Sequence, residues 1–433
     1  MRLLSILVIA CSCAGDPIAD EPPTPDAGEV PEQGPEYDRV FALDRVVEVD
    51  IRFHDDGWEV IRASPFEDIY VPADLSYDGV EVANVAVRIK GNSSRNNTAN
   101  QGGLRYSLKL NTDYYVDDQT LFGLDKLNFN NGTNDPTQLR EVISTELFRA
   151  AGIPSPQMGF VRLSINGELI GFYVAVEQED KDFLRRHFDD DDGDLYKPEP
   201  PSGHLGFRGD RIEDYPGLEI KTNETTTDHS AVLRFIDVLS NTSDAELEQA
   251  LAAVFDVDLF LRYLAVSALH VNLDSPLGPG HNYYLYEDRS TGRFVLLPWD
   301  LNGTFGTFDC GQGNATVDFS YAQPACAPTE QKILIDRILS VAAYRAAYEA
   351  YLTSYAQTLF DVDTVAARVT ELADVARAAV WEDPNRFFSA EQFEQNLTTD
   401  VPRGMGPGMG GDRVFFGLTS FAERRQQALD DQL

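Results

Sequence analysis

Short runs of alternating apolar and polar residues dominate the N-terminal third of the chain. Val47 to Phe53, Val85 to Ile89 and Tyr106 to Leu110 each have the period-two pattern of a half-buried strand. Asp56-Gly57 and Asp78-Gly79 punctuate these runs, and Asp-Gly pairs favour tight turns between antiparallel strands. The pattern predicts a β-rich N-terminal lobe.

A helix and a second hairpin are predicted next. Asp135-Pro136 is typical of a helix start and Gly152 of a helix stop. The apolar residues between them, Leu139, Val142, Ile143 and Leu147, recur at helical spacing. Two further strand-like runs, Phe160 to Ile165 and Ile170 to Val176, flank the turn Asn166-Gly167.

From Ser230 onward, apolar residues recur at the spacing of helices. The same helical spacing returns from Gln331 to Val380. One hairpin interrupts this part, with strands predicted at Tyr283 to Glu287 and Phe294 to Pro298. The order predicts an α+β fold with a β-rich lobe over residues 37–180 and a mainly helical lobe over residues 181–433. A cleft between two lobes is a natural ligand site.

The first ten residues join one positive charge to a short apolar run, which predicts an export signal because a membrane span needs about 20 apolar residues. Val8 to Cys11 resembles the lipobox of bacterial lipoproteins, in which the cysteine, here Cys11, is acylated; a plain cleaved signal peptide is the alternative. Residues 11–36 are crowded with Pro, Asp, Glu and Gly, which predicts a disordered tether. We therefore expect an exported protein, lipid-anchored to the cell envelope or surface of a bacterium.

The chain of 433 residues carries 71 acidic and 35 basic side chains, a formal net charge of -36. This charge disfavours nonspecific binding to nucleic acid or anionic lipid. The lipid anchor is therefore the only membrane contact that we expect. Solubility explains the acidity most simply, and a preference for divalent cations or basic partners is the alternative. The acidic run Asp189 to Asp194 lacks the spacing of an EF-hand, which favours a solvated turn. A calcium-binding surface protein is therefore the last of the hypotheses.

Beyond Cys11 and Cys13 near the N-terminus, the cysteines are Cys310 and Cys326. In an exported chain their spacing suits a disulfide that closes a small loop, worth about 3 kcal/mol on the chain-entropy model; two reduced, buried cysteines are the alternative. Two sulfurs make a poor zinc site, and the six histidines show no HExxH arrangement. Zinc is therefore disfavoured.

Two segments of the β-rich lobe carry candidate phosphate contacts. Lys90 to Arg95 runs from a strand into a small, polar, basic turn, where the backbone donors of Asn92 and Ser93, with Arg95, can hold phosphate oxygens; an ordinary hairpin loop is the alternative. Lys109 faces opposite Leu108 and Leu110 on its strand and can point into a cleft. Glu146, within the apolar helix stripe, is expected to pair with that lysine, as in ATP-binding kinases, unless the glutamate makes a structural salt bridge.

A third segment surrounds the C-terminal hairpin. Asp274 precedes the hairpin, Asn282 opens its first strand, and Asp300 follows its last strand. We expect these three side chains to meet at one end of the hairpin, where their oxygen ligands suit Mg²⁺ rather than zinc. The alternative is that the two aspartates only cap a helix end and a turn.

Together the segments resemble the CotH (spore-coat protein H) kinase family over roughly residues 45–360. The resemblance is carried by Lys90 to Arg95, Tyr106 to Leu110, Asp135-Pro136 with Leu139-Arg140, Gly171 to Tyr173 with Val176 to Gln178, Leu195 to Lys197, Asn282 to Tyr286 and Pro298 to Asp300. It implies an atypical, two-lobed protein-kinase-like fold that uses ATP and Mg²⁺ or Mn²⁺ to phosphorylate a protein substrate, often an exported one.

The resemblance also implies roles by position. Asp274 matches the catalytic aspartate, Asp300 and Asn282 match metal ligands, and Lys109 matches a nucleotide-phosphate contact. Lys90 and Arg95 are supporting candidates. Asn302 stands where the family often has aspartate, and Arg105 where a lysine commonly precedes the strand aromatic, so turnover is in question. A cell-surface adhesion or binding protein that keeps the kinase-like scaffold without catalysis is the competing hypothesis.

Overall fold

The structure is a computed structural model that describes residues 36–403 and 413–432. The predicted signal peptide, Cys11 and almost all of the predicted tether lie outside the described residues. Within the described residues, no helix combines the length and the apolar character that a membrane crossing requires.

The elements follow in chain order. The strands are β1 Val46–Phe53, β2 Val71–Tyr77, β3 Val80–Ile89, β4 Leu108–Asn111, β5 Lys126–Asn130, β6 Met158–Ile165, β7 Glu168–Glu177, β8 Leu195–Pro198, β9 Leu218–Ile220, β10 Tyr283–Asp288, β11 Arg293–Pro298, β12 Val401–Pro402 and β13 Val414–Phe415. The helices are α1 Tyr37–Val40, α2 Gly57–Ala63, α3 Ser93–Asn100, α4 Arg140–Ala150, α5 Lys181–His187, α6 Ser230–Asn241, α7 Leu247–Ala252, α8 Val257–Leu269, α9 Ile333–Ser340, α10 Ala342–Gln357, α11 Val362–Glu382, α12 Ala390–Thr398 and α13 Leu418–Gln432. Short 3₁₀ turns occupy Ile212–Asp214, Leu301–Gly303, Gly313–Asp318 and Thr329–Gln331.

The β-rich region is a closed barrel with the strand order β1-β2-β3-β4-β5-β7-β6. β1 and β6 pair in parallel, from Val46 opposite Phe160 to Ile51 opposite Ile165, and this pairing closes the ring. The inward-facing residues of the strands form a hydrophobic core of their own. The predicted β-rich region is thus confirmed, with a closure that the local pattern did not reveal.

The two predicted Asp-Gly turns have different outcomes. Asp78 and Gly79 join β2 to β3 with φ of +51° and +76°, the left-handed conformations that a two-residue hairpin turn requires. Gly57 instead begins α2, with Asp56 at the preceding position. The predicted turn is present, since the Gly57 N–H donates to the His54 carbonyl oxygen at 3.0 Å, but it leads into a short helix that buries Trp58 and Ile61 instead of directly into the next strand.

Helix α4 packs outside the barrel and belongs to the larger hydrophobic core shared with the C-terminal region. It begins at Arg140, four residues later than the predicted start at Pro136. Asp135 still caps it, because its carboxylate accepts hydrogen bonds from the backbone N–H groups of Thr137 at 2.9 Å and Arg140 at 2.8 Å. The helix ends before Gly152, whose φ of +78° agrees with the predicted stop.

The C-terminal region combines helices with a second sheet of order β11-β10-β8-β9. The predicted hairpin forms one side of this sheet, with β11 at the edge, Tyr283 opposite Pro298 and Asp288 opposite Arg293. β8 and β9 were not predicted, so this region is less purely helical than its apolar spacing suggested. The molecule is a mixed α/β protein with a β-rich N-terminal region and helices toward the C-terminus.

Candidate functional site

The end of the β10–β11 hairpin brings the predicted oxygen ligands together. The backbone N–H of Trp299 donates to the Asn282 carbonyl oxygen at 3.2 Å, so Asn282 and Asp300 lie beside the same end of the hairpin. Gly303, in the turn after Asp300, lies so close to Asp274 that an added Cβ would be 2.8 Å from the Asp274 Cβ. The turn after β11 therefore packs directly against Asp274.

Asp274 is held by two neighbours. His281 Nε2 lies 2.7 Å from Asp274 Oδ1, and the Asn282 side-chain amide donates to the Asp274 backbone oxygen at 2.8 Å. Burial opposes the charged form of His281, but its contacts with Asp274 and Glu199 outweigh burial and raise the pKa of His281 to about 9. The imidazolium thus fixes one oxygen of the Asp274 carboxylate.

Lys90 connects this hairpin end to the barrel. Its Nζ donates to Asn130 Oδ1 at 2.9 Å and lies 5.3 Å from the centre of the Trp299 ring. Asn130 in turn donates to the Glu141 carboxylate of α4 at 2.9 Å and 3.0 Å. Burial lowers the pKa of Lys90, whereas the charges of Asp300 and Glu141 act in the opposite direction.

The carboxylates around Lys90 are crowded. Burial and the charge of Asp300 raise the pKa of Glu141, and burial raises the pKa of Asp300, to which Asp274 adds repulsion. Asn302 donates to Asp300 Oδ1 at 2.5 Å. Excess negative charge with carboxylate and amide oxygens is the donor set that suits an oxygen-preferring divalent cation, so these residues fit the expected Mg²⁺ or Mn²⁺.

The expected pairing of Lys109 with Glu146 is wrong. Lys109 Nζ donates to Gln178 Oε1 at 2.8 Å, and burial lowers the pKa of Lys109 to about 7. Glu146 instead makes a bidentate ion pair with Arg368 of α11, at 2.6 Å and 2.9 Å. The two side chains diverge because Glu146 lies near the C-terminal end of α4, whereas Lys109 points to the segment that follows β7.

The predicted phosphate turn is built differently from the expectation. Asn92 precedes α3, and its backbone oxygen accepts a hydrogen bond from the Asn96 backbone N–H at 3.1 Å. Ser93 opens the helix and is exposed to a cavity beside Asp300. Arg95 turns away and bonds Pro65 O and Asp68, each at 3.2 Å, so it supports the loop before β2.

Sequence reasoning missed Glu141, Asn130 and Lys197. The charge of Lys197 of β8 lowers the pKa of Asp300, more weakly than that of Lys90, and the Lys197 Nζ lies 3.3 Å from Glu199. The sequence marks Glu141 only weakly as a site residue. An acidic residue in the first turn of a helix usually interacts with the helix dipole or caps the helix. Asn130 is the last residue of β5, a strand that the apolar pattern did not predict.

The segment after Asp300 is fastened to the rest of the C-terminal region. Cys310 and Cys326 form a disulfide with Cα atoms 6.1 Å apart. A cavity of about 530 Å³ opens between this segment and α3, and Asp274, Asp300 and Asn302 contribute to its lining. The candidate site is therefore a cleft between the barrel and the C-terminal region.

Comparison with known proteins gives consistent matches. The model of a family described as CotH kinase protein matches residues 87–399, more than half of the chain. Inner spore coat protein H of Bacillus subtilis is 26% identical over 280 residues, which are 64% of this chain and 75% of that protein. Invasin CotH3 of Rhizopus delemar is 26% identical over 326 residues, which are 68% of this chain and 52% of that protein. Invasin CotH2 of the same organism is 25% identical over 382 residues, 80% of this chain and 60% of that protein.

Proposed function

Because the chain belongs to the CotH kinase protein family, we propose that it is a phosphotransferase that moves the γ-phosphoryl group of ATP to a hydroxyl side chain of an exported or surface protein. The observation that carries this proposal is Lys90 of the barrel, whose Nζ donates to Asn130 Oδ1 while Asn130 donates to the Glu141 carboxylate, and whose ammonium senses the charge of Asp300. A lysine linked to a helix glutamate, here through Asn130, and near a metal-binding aspartate resembles the arrangement that protein kinases use for phosphoryl transfer from ATP. In this proposal the barrel and the C-terminal region are the two lobes of an atypical kinase.

The roles follow from position. Lys90, oriented by Glu141, contacts the phosphates of ATP, and Asp274 accepts the proton of the acceptor hydroxyl. As the hydroxyl oxygen bonds to the γ-phosphorus, the bond from that phosphorus to the β-γ bridging oxygen breaks, and ADP leaves with the electron pair. His281 keeps the Asp274 carboxylate in place through the 2.7 Å contact.

Asp300, with Asn282 and Asn302 as amide neighbours, would hold the divalent cation. That cation would neutralise charge on the phosphates during transfer. Lys109 contacts Gln178 in the segment between β7 and α5, so we assign Lys109 to the nucleotide side of the cleft rather than to the transferred group.

The proposal is tested by incubating the purified chain with γ-labelled ATP and Mg²⁺ or Mn²⁺, with test proteins of both basic and acidic character as acceptors. We expect label on the chain or on the acceptor, and Asp300→Ala to lower it to background. Asp189→Ala is the matched control, because Asp189 is exposed in the acidic turn and should leave labelling unchanged. Labelling that survives Asp300→Ala would refute the assigned site.

A second function is a surface adhesion or binding protein without catalysis. It is favoured by the relatives named invasins and by Asn302, which replaces a common acidic metal contact. Both functions place the protein at a surface or coat. Thermal unfolding with ATP and Mg²⁺ separates them, since a ligand at 100 times its dissociation constant stabilises the folded state by about 2.7 kcal/mol. An unchanged melting temperature would favour the binding protein.

A further inference from the structure

The cavity beside Asp274 and Asp300 has a volume of about 530 Å³ and two unlike walls. The wall toward the hairpin contains Asp274, Asp300 and Asn302. Neither Lys90 nor Glu141 contributes to the lining. The cavity therefore meets the proposed catalytic carboxylate, whereas Lys90 and Glu141 lie outside its lining.

A second part of the lining, which we call the aromatic-basic wall, contains Phe387, Phe388, Phe415, Arg403 and Arg413. Phe308 belongs to the side of the hairpin, because it adjoins Gly303 in the turn after Asp300, and polar residues of α3 and of residues 133–134 complete the lining. The Arg403 guanidinium lies 4.6 Å from the centre of the Phe415 ring, and Phe388 meets that ring edge-on at 5.2 Å. Aromatic surface with a few convergent polar groups is typical of a pocket that takes one side chain of a binding partner.

The charge on this wall is incompletely matched. Arg413 lies 3.1 Å from Asp309, and the same carboxylate is the acidic group that acts on Arg403. Arg403 donates to the Thr307 backbone oxygen but forms no ion pair with a carboxylate of residues 36–403 or 413–432. One carboxylate thus serves two guanidinium groups, which leaves hydrogen-bond donors for an anion that enters the cavity.

We propose that this wall is an acceptor subsite for a protein segment in which the hydroxyl residue is flanked by a carboxylate side chain and an aromatic or large apolar one. The carboxylate binds Arg403 and Arg413, the apolar side chain packs on the phenylalanines, and the hydroxyl reaches Asp274. Arg403 and Arg413 are then specificity-determining residues. The subsite rests on the proposed phosphotransfer, because the acceptor hydroxyl is placed at Asp274, the proposed catalytic base.

The test uses matched serine peptides with Phe on one side and Glu, Gln or Lys on the other. For the wild-type chain with ATP and Mn²⁺, we expect kcat/KM to be about tenfold higher for the Glu peptide than for the Gln peptide, since a charge-assisted hydrogen bond contributes about 1.5 kcal/mol or more. Arg403→Gln should remove this preference through the KM for peptide while the KM for ATP is unchanged. Arg413→Gln provides a second variant, and Arg185→Gln, exposed on α5, is the control.

Equal rates for the Glu and Gln peptides would overturn the subsite, as would an Arg403→Gln variant whose main defect is the KM for ATP. The second result would mean that the arginines hold nucleotide phosphate. Fluorescence anisotropy of the labelled peptides without nucleotide separates this proposal from the proposed function. Tighter binding of the Glu peptide, lost in Arg403→Gln, supports the subsite even if no phosphate is transferred.

Discussion

At the scale of single residues, the ammonium of Lys90 interacts with groups from three parts of the chain. Asn130 of the barrel accepts its hydrogen bond, Glu141 of α4 is linked to it through Asn130, and Asp300, after the C-terminal hairpin, acts on it through charge. A lysine restrained from several sides is oriented before its ligand arrives, which reduces the reorganisation needed during reaction. Without the lysine, the carboxylates of Asp300 and Glu141 would repel each other, since the charge of Asp300 raises the pKa of Glu141.

Helix α4 offers a matched pair of glutamates for testing this arrangement. Glu141→Gln keeps the shape of the side chain but removes the charge that faces Lys90, and we expect labelling by γ-labelled ATP to fall by about tenfold or more. Glu146→Gln breaks the ion pair with Arg368 and should cost about 1 kcal/mol of stability with little effect on labelling. Equal losses of labelling in the two variants would contradict the role given to Glu141.

Lys109 gives a prediction about pH. Its folded-state pKa of about 7 lies below the ordinary value of 10.5, so between these values the unfolded chain binds more protons than the folded one. The stability contributed by this group therefore rises with pH above 7. Compared with Lys109→Met, the wild-type melting temperature should increase between pH 6.5 and pH 9, as measured by differential scanning fluorimetry. Parallel curves for the two proteins would show that Lys109 keeps an ordinary pKa.

The residues of the site differ in how far the sequence could reveal them. Asp274, Asn282 and Asp300 were predictable as a group because a hairpin fixes which residues meet at its end. The partner of the lysine was not predictable, because the apolar stripe of α4 pointed to Glu146 while burial on a second side of the helix accommodates Glu141. The interaction of Glu146 with Arg368 joins residues 222 positions apart, which no local pattern encodes.

At the scale of elements, α13 is anchored by a buried arginine that forms no ion pair with any carboxylate in the described part of the chain. Arg425 is fully buried and donates to the backbone oxygens of Ala268, Leu269, Val317 and Phe319 at distances of 2.8 to 3.2 Å. Its guanidinium also lies 4.0 Å from the centre of the Tyr321 ring. This single side chain therefore joins three parts of the chain: the end of α8, the 3₁₀ turn Gly313–Asp318, and the last helix, α13.

Arg425→Met should therefore destabilise the protein strongly. Methionine fills part of the space but leaves several buried carbonyl groups without donors, at a cost of about 3 kcal/mol. Urea unfolding followed by tryptophan fluorescence measures the change. Glu423→Met is the control, because Glu423 is exposed on the same helix and its replacement should change stability by less than about 0.5 kcal/mol. Similar losses in both variants would mean that Arg425 does not anchor α13.

The elements show the same limit of local prediction. The hairpins β6–β7 and β10–β11 follow from strand patterns on both sides of a short turn, and both were predicted. β8 and β9 have four and three residues, too few for a period to be distinguishable from chance. The closure of the barrel depends on the parallel pairing of β1 with β6, about 110 residues apart, and nothing local marks that contact.

At the scale of the whole molecule, the barrel is attached to the C-terminal region at several points. The chain itself crosses from β7 to α5 at residues 178–180. Arg105 of the barrel region forms a buried ion pair with Asp383, directly after α11. Arg140 at the start of α4 donates to Asn396 of α12 at 2.8 Å. These attachments restrict how the two sides of the cleft can move, so Lys90 and Asp300 are brought to face each other by the fold itself.

The parallel closure of the barrel also bears on how copies of this protein behave when crowded. A ring of paired strands has no open backbone edge, so the barrel cannot recruit a strand from a neighbouring copy. In the second sheet, β9 is only three residues long and ends beside the exposed charges of Glu219 and Lys221, while β11 is flanked by Phe255 and α8. Strand addition from a neighbouring copy is therefore disfavoured at the barrel and at the second sheet, and we expect close contacts between copies at these surfaces to be made through side chains.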